Sequence, residues 1–261
     1  MTKIRVGVQL TPQHTDVATY AQAVRDVEAL GVDTIFNWDH FFPLSGDPQG
    51  NHFEGLTLLS AMATLTSRAE IGTLVTCNGY RNPALLADMA KTIDHISGGR
   101  LILGIGAGWF ERDYTEFGYT FGTAADRLRA LGQALPIIKK RWQVDVPTPI
   151  RNPIPILIGG GGERVTLKLA AQYASIWNSF GPVETWKHKN QVLDEWCAKV
   201  GRNPADIERS VALFSTSKRD EFDAMRAAGA THIIMSVGEP WDLAGVEALV
   251  KWRDRQNNAN S

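Results

Sequence analysis

Short apolar, β-rich runs alternate with longer amphipathic runs along the whole chain. This alternation constrains the fold more than any other feature. The pattern predicts strands over residues 4–10, 34–38, 71–76, 101–105, 154–158, 174–178, 207–214 and 231–235. It predicts helices over about 17–30, 56–66, 83–96, 124–142, 163–173, 183–200, 220–228 and 243–252. In the first helix Val17, Tyr20, Ala21, Val24 and Val27 recur at helical spacing, and Gly31 stands where a C-cap belongs. Pro83 opens the third helix at a first-turn position, where its missing N–H costs nothing, and Gly98-Gly99 stop it. The strands are continuous apolar runs, as expected where both sheet faces are covered. Eight β/α units of about 33 residues each fill the 261 residues, the size of a (β/α)8 TIM barrel. A doubly wound open sheet would need a Gly-rich turn straight after the first strand, and Leu10-Thr11-Pro12-Gln13 is not one. Residues 141–155, with four prolines, read as a rigid helix-to-strand connection, so 1–261 is expected to form a single domain. The polar tail 255–261 is expected to fray.

Charge and cysteine usage narrow the functional classes. Lys plus Arg is 27 and Asp plus Glu is 28, a net charge of -1. Such a chain has no global field to draw nucleic acid or anionic lipid. Two cysteines, Cys77 and Cys197, are no disulfide framework. The N-terminus lacks the apolar core of a signal peptide. No apolar run approaches the ~20 residues of a membrane helix. The expectation is a soluble cytoplasmic protein with a small-molecule substrate and neither a nucleic-acid nor a membrane partner.

In an eight-fold barrel the site lies at the carboxyl ends of the strands. After the first strand come the neutral hydrogen-bonders Gln9, Gln13 and His14. After the second comes Asp39-His40, a pair able to keep an imidazole ready to give or take a proton. Adjacent strand residues point oppositely, so Asp39 need not orient His40 directly, and a rim-capping pair is the other reading. After the third come Thr76, Cys77 and Asn78, then basic Arg81. Nothing places a base beside Cys77, so it reads as a pocket-lining residue. After the fourth, Gly104-Ile105-Gly106-Ala107-Gly108-Trp109 removes side chains from one face, so a flat ring could lie against the backbone. After the fifth, Gly159-Gly160-Gly161-Gly162 opens a helix and can aim backbone N–H groups at a phosphate, with Gly160 and Gly161 the leading candidates. No Lys-Ser or Lys-Thr follows, so this is not a nucleoside-triphosphate loop. The six histidines show no zinc-like helical spacing, so no metal is expected. No Gly-x-Ser-x-Gly elbow is present.

Several segments together resemble the bacterial luciferase-like oxidoreductases, and more narrowly the actinobacterial branch that uses the deazaflavin coenzyme F420. They are Asn37-Trp38-Asp39-His40-Phe41, Arg81-Asn82-Pro83-Ala84-Leu85-Leu86-Ala87, Ile96-Ser97-Gly98-Gly99-Arg100, the 103–109 glycine segment, Ile158 through Glu163, and Trp177-Asn178. The resemblance implies a (β/α)8 barrel with the coenzyme ring in its mouth. Asp39 and His40 would lie near the ring, His40 assisting proton transfer. Leu74, Val75 and Thr76 would support the ring from a strand-three bulge that in relatives carries a non-prolyl cis peptide. Gly106 and Gly108 would border it, and Gly159, Gly160, Gly161 and Gly162 would take the coenzyme phosphate. Gln13, His14, Cys77, Asn78 and Trp109 would line the substrate pocket. In the glucose-6-phosphate dehydrogenase branch a catalytic Glu follows the strand-four glycines, and here Trp109 holds that place. This departure argues against a sugar-phosphate substrate. The implied activity is hydride exchange between F420 and a small organic substrate, with an FMN-dependent monooxygenase as the alternative. F420 differs from FMN in a longer acidic tail, for which Arg164 and Lys168 are the candidate cations. A homodimer is the implied oligomer.

Overall fold

A computed structural model of the chain describes residues 3–144, 146–214 and 219–259. Its strands are all parallel: β1 (Arg5–Leu10), β2 (Thr34–Asn37), β3 (Glu70–Thr73), β4 (Thr76–Cys77), β5 (Leu101–Gly106), β6 (Ile156–Gly159), β7 (Ile176–Phe180), β8 (Glu208–Phe214) and β9 (His232–Val237). The order is β3-β2-β1-β9-β8-β7-β6-β5-β4, and a further β3–β5 pairing closes the sheet on itself. β3 and β4 are two halves of one broken stave, so the barrel has eight staves, as the alternation predicts. Around it run α1 (Val17–Ala29), α2 (Gly55–Leu65), α3 (Pro83–Ser97), the short α4 (Glu111–Glu116), α5 (Ala124–Val144), α6 (Thr166–Tyr173), α7 (Val183–Val200), α8 (Arg219–Ala227) and α9 (Ala244–Asn258).

Alternation along each strand sorts residues between two cores. Phe36, Ile102, Leu157, Ile176, Ala212 and Ile234 point inward and fill the barrel. Their neighbours Ile35, Leu101, Leu103, Ile156, Ile158, Val211 and Ile233 point outward and pack under the helices. The amino end of the barrel is plugged by charge. Arg5 pairs with Glu208 at 3.0 Å and with Glu70, and Glu70 also takes Arg151. His232 bonds Thr34 at 2.8 Å, and burial holds its imidazole well below the usual histidine range. With the floor plugged and the middle filled, only the carboxyl end is left to open.

The structure corrects four local expectations. The third stave is not continuous over 71–76 but breaks at a cis Leu74–Val75 peptide. This is the bulge the resemblance implied. The helix after the glycine run begins at Thr166 rather than at Glu163. α4 was not foreseen, because six residues are too few to show a helical period. The expected frayed tail is helical through Asn258. Asn257 explains the difference, since its side chain accepts from the Ile4 amide and donates to the Ile4 carbonyl, both at 2.9 Å. Residues 260 and 261 lie outside the described residues. Among the described residues, no helix is long and apolar enough to cross a membrane, and no group of three His, Cys, Asp or Glu side chains could hold a metal.

Candidate active site

A cavity of about 650 Å³ opens at the carboxyl ends of the strands. β1 contributes Gln9, the end of β2 Trp38, Asp39 and His40, the broken stave Leu74, Val75 and Cys77, and the end of β5 Gly106 to Trp109. Gly159 at the end of β6 and Gly160 after it, Asn178 and Phe180 of β7, Phe214 of β8 and Ser236 of β9 continue the wall, and Leu44, Tyr80 and Thr166 complete it. A second hollow of about 570 Å³, around Asp88, Lys91, His95 and Arg141, lies on the outer wall between α3 and α5, away from these strand ends.

His40 is held from two directions. Its Nδ1 lies 2.7 Å from Asp113 Oδ2, while the rings of Trp38, Trp109 and Phe110 meet the imidazole edge-on at 5.9, 5.7 and 5.5 Å. Asp113 comes from α4, and nothing in its sequence neighbourhood marks it. It is the hydrogen-bond partner of His40 that sequence reasoning missed. The Asp39 carboxylate bonds groups other than the His40 ring. The Arg81 guanidinium grips it with two bonds of 2.6 and 2.9 Å, the Cys77 amide donates to it at 3.0 Å, and Arg81 also bonds Glu54. Burial pushes the Asp39 carboxyl up, against the pull of Arg81. Glu54 caps α2 through the amides of Leu56 and Thr57, so Asp39 ties the end of β2 to the loop before α3 and to the start of α2.

The glycines after β5 act through Val75. A Cβ on Gly104 would stand 1.8 Å from the Thr73 carbonyl oxygen. One on Gly106 would stand 2.8 Å from Val75 Cγ2, and one on Gly159 2.9 Å from Val75 Cγ1. The missing side chains therefore make room for the bulge, and Val75 faces the cavity beside the backbone of Gly106 and Gly108. Gly106 and Gly108 thus stand in the cavity wall, with Val75 packed against the face that Gly106 leaves open. Gly108, at φ +84, leaves room for Tyr114, whose hydroxyl sits 3.0 Å from Cys77 Sγ. Burial pushes the Cys77 thiol up, which suits a wall residue rather than a nucleophile.

The four glycines divide into two pairs. Gly160, at φ +122, donates its N–H to the Asn178 carbonyl at 2.9 Å, and its carbonyl accepts from Trp177 Nε1 at 2.9 Å. Its amide is spent, which corrects the expectation that Gly160 offers it to a phosphate. Among the described residues, the amides of residues 161–165 take no backbone hydrogen bond, and they lead into α6. Beside this loop stand Ser179 and Lys189, at 3.2 and 3.7 Å from where a Gly161 Cβ would be, and Lys189 also pairs with Glu163. Lys189 thus brings a cation from α7 to the loop. Lys168 instead lies over the Trp196 ring at 5.7 Å, and Arg164 is exposed on the turn.

Several expected pocket residues serve the scaffold. Gln13 accepts from the Leu44 amide and donates to Ser45 Oγ, both at 2.9 Å. His14, at φ 56, meets the Ser45 carbonyl through Nε2 at 2.6 Å. Both hold the 44–51 loop and stand outside the cavity wall. Thr76 shares its hydroxyl with that of Thr73 at 2.5 Å, and Asn78 sits in a single 3-10 turn behind the wall. Gly162 packs toward Thr166. Trp109 is in the wall as expected, 63% exposed at the mouth. Phe180 and Phe214, stacked at 6.5 Å on the opposite rim, were missed, although each is the aromatic last residue of an apolar strand.

Comparison with known proteins supplies the family. A family model for luciferase-like monooxygenases matches residues 1–260. An F420-dependent glucose-6-phosphate dehydrogenase of Amycolatopsis mediterranei is 25% identical over 85% of this chain and 72% of that protein. Two further relatives of that name are longer, and the matches span 52% and 59% of them. An FMNH(2)-dependent dimethylsulfone monooxygenase of Pseudomonas putida is 24% identical over 77% of this chain and 58% of that protein. Among solved structures, an F420-dependent secondary alcohol dehydrogenase, in complex with an F420-acetone adduct, shares the fold with a TM-score of 0.83. It is 15% identical and covers 95% of this chain and 98% of that one.

Proposed function

The chain belongs to the luciferase-like monooxygenase family, which makes it an oxidoreductase, and from that premise we propose that it exchanges hydride between coenzyme F420 and a small organic substrate. The observation that carries this reading is His40, an imidazole in the wall of the cavity with one nitrogen engaged behind it and the other left for a substrate. The residues present fit the coenzyme. The unpaired amides of residues 161–165, at the start of α6 and beside Lys189, suit its phosphate. The Val75 bulge supplies a firm apolar wall for a flat ring. When bound, F420 supplies the two-electron partner that takes or gives a hydride.

The chain's own residues do the rest. His40 takes the hydroxyl proton as an alcohol is oxidised, or returns it as a carbonyl is reduced. Asp39 fixes the strand end from which His40 projects, through Arg81 and Cys77. Trp38, Trp109, Phe180 and Phe214 exclude water and favour an apolar substrate over a sugar phosphate. Secondary alcohols with F420, and ketones with its reduced form, are therefore the first substrates to assay. General acid–base help is worth about 10²–10⁴-fold, so His40→Ala should lower turnover on that order while coenzyme affinity is kept. Turnover within about threefold of the parent would remove His40 from the chemistry. Because the glycine loop suits any phosphate, oxygen-dependent turnover with reduced FMN, and none with F420, would establish the monooxygenase reading instead.

A further inference from the structure

Resting on the reading of His40 as the proton-transfer group, we propose that Asp113 is its positioning residue. It holds the imidazole in the tautomer with hydrogen on Nδ1, so that Nε2 meets the substrate as an acceptor.

Three donors converge on the Asp113 carboxyl, whose side chain is fully buried. The Phe41 amide donates to Oδ1 at 3.0 Å, and Tyr80 Oη donates to Oδ2 at 2.8 Å. His40 Nδ1 stands 2.7 Å from the same Oδ2. A backbone amide can only donate. Burial pushes the Tyr80 phenol up, so it keeps its proton and donates as well. Both oxygens are then acceptors, and the hydrogen of the third contact belongs to Nδ1. The neutral ring is left with a lone pair on Nε2, and His40 lies in the cavity wall. The three edge-on rings of Trp38, Trp109 and Phe110 oppose a ring flip that would exchange the two nitrogens.

The contact spans 73 positions of sequence and joins the loop after β2 to α4. Other contacts hold the same two segments together. Arg112 donates to the Pro48 carbonyl at 2.8 Å and lies 3.9 Å over Phe42, and Phe41 packs on Phe117 at 4.2 Å. The loop after β2 therefore delivers the imidazole, and the segment after β5 orients it.

The consequence for the reaction is a matched proton path. As an alcohol is oxidised, its carbon gives the hydride to F420, its C–O bond becomes C=O, and the hydroxyl proton forms a new N–H bond at Nε2. The imidazolium so formed faces the Asp113 carboxylate, which stabilises it. In the reverse direction the imidazolium returns that proton to the carbonyl oxygen. Other titratable groups near the ring do not compete for this role. Burial, with the nearby His40 as a second cause, lowers His52 to about 4, so it is neutral in the working range. Cys77 is held as a thiol by burial, and Asp39 is committed to Arg81.

The test is nitrogen-15 NMR of histidine-labelled protein, with the His40 signals assigned by their loss in His40→Gln. It needs neither coenzyme nor substrate. The parent should show the Nδ1–H tautomer. Asp113→Asn should lose that tautomer preference, because the amide offers Nδ1 a donor as readily as an acceptor. Tyr80→Phe keeps the carboxylate and should keep the tautomer. A parent with hydrogen on Nε2 overturns the proposal, and so does an Asp113→Asn spectrum equal to the parent's. If Asp113→Asn fails to fold, the parent tautomer decides alone. Full turnover in His40→Ala is a separate failure, which removes the reading of His40 and with it any catalytic use of Asp113, whatever the tautomer.

Discussion

At the scale of single residues, the glycine loop gives the sharpest division between fold and function. Gly160 is a structural glycine, with positive φ and both its backbone groups bonded inside the protein. Gly161 is not, and its would-be Cβ faces Ser179 Oγ at 3.2 Å beside Lys189. A valine there fills the space beside the loop amides, and only Ser179 Oγ need give way by a few tenths of an ångström. Gly161→Val should therefore weaken phosphate-dependent coenzyme binding at least tenfold, about 1.4 kcal/mol, with little change in melting temperature. Unchanged affinity in a normally folded variant would show that this loop does not hold the phosphate. The sequence made the run of glycines conspicuous but not the division within it, because the Gly160 bond to Asn178 is made across two strands. The same limit hid Asp113. A lone aspartate on a six-residue helix has no periodicity or spacing that ties it to a histidine 73 positions earlier.

At the scale of elements, strand and helix positions were legible because apolar runs and caps are local. α7 occupies residues 183–200, the span its periodicity predicts, and Gly201 caps it at φ 70. The break between β3 and β4 was not legible from the pattern. It depends on room left by Gly104, Gly106 and Gly159, which come from two later strands, and only the family resemblance indicated it. The segment after β2 carries a pH dependence of its own. Trp38 Nε1 donates to His52 Nε2 at 2.9 Å, a bond that protonation of that nitrogen abolishes. Burial lowers His52 from the ordinary 6.5 to about 4. Between those values the unfolded chain binds the proton and the folded one does not, so stability rises with pH and falls as pH drops through this window. The melting temperature should thus decrease from pH 7 to pH 5, and His52→Gln should lessen the decrease. An identical slope in parent and variant would assign the acid sensitivity elsewhere, with buried His232 at the barrel floor the next group to test.

At the scale of the whole molecule, a plugged floor and a packed middle leave one open end. The barrel interior is small, and Leu157 sits in it fully buried among Phe36, Ile102, Ile176, Ala212 and Ile234. Leu157→Ala should cost about 2–5 kcal/mol, read from urea unfolding, because a closed barrel cannot collapse into the void. A loss below about 1 kcal/mol would mean that the interior is less tightly packed than these contacts indicate. The central claim is that the open end holds a deazaflavin. Fluorescence titration of the purified apoprotein with F420 and with FMN, at low and high salt, tests it most directly. The account predicts tighter binding of F420, with a preference that shrinks as salt screens the acidic tail from Lys189 and the exposed Arg164. Tighter binding of FMN at both salt concentrations would contradict it and give the site to the monooxygenase chemistry.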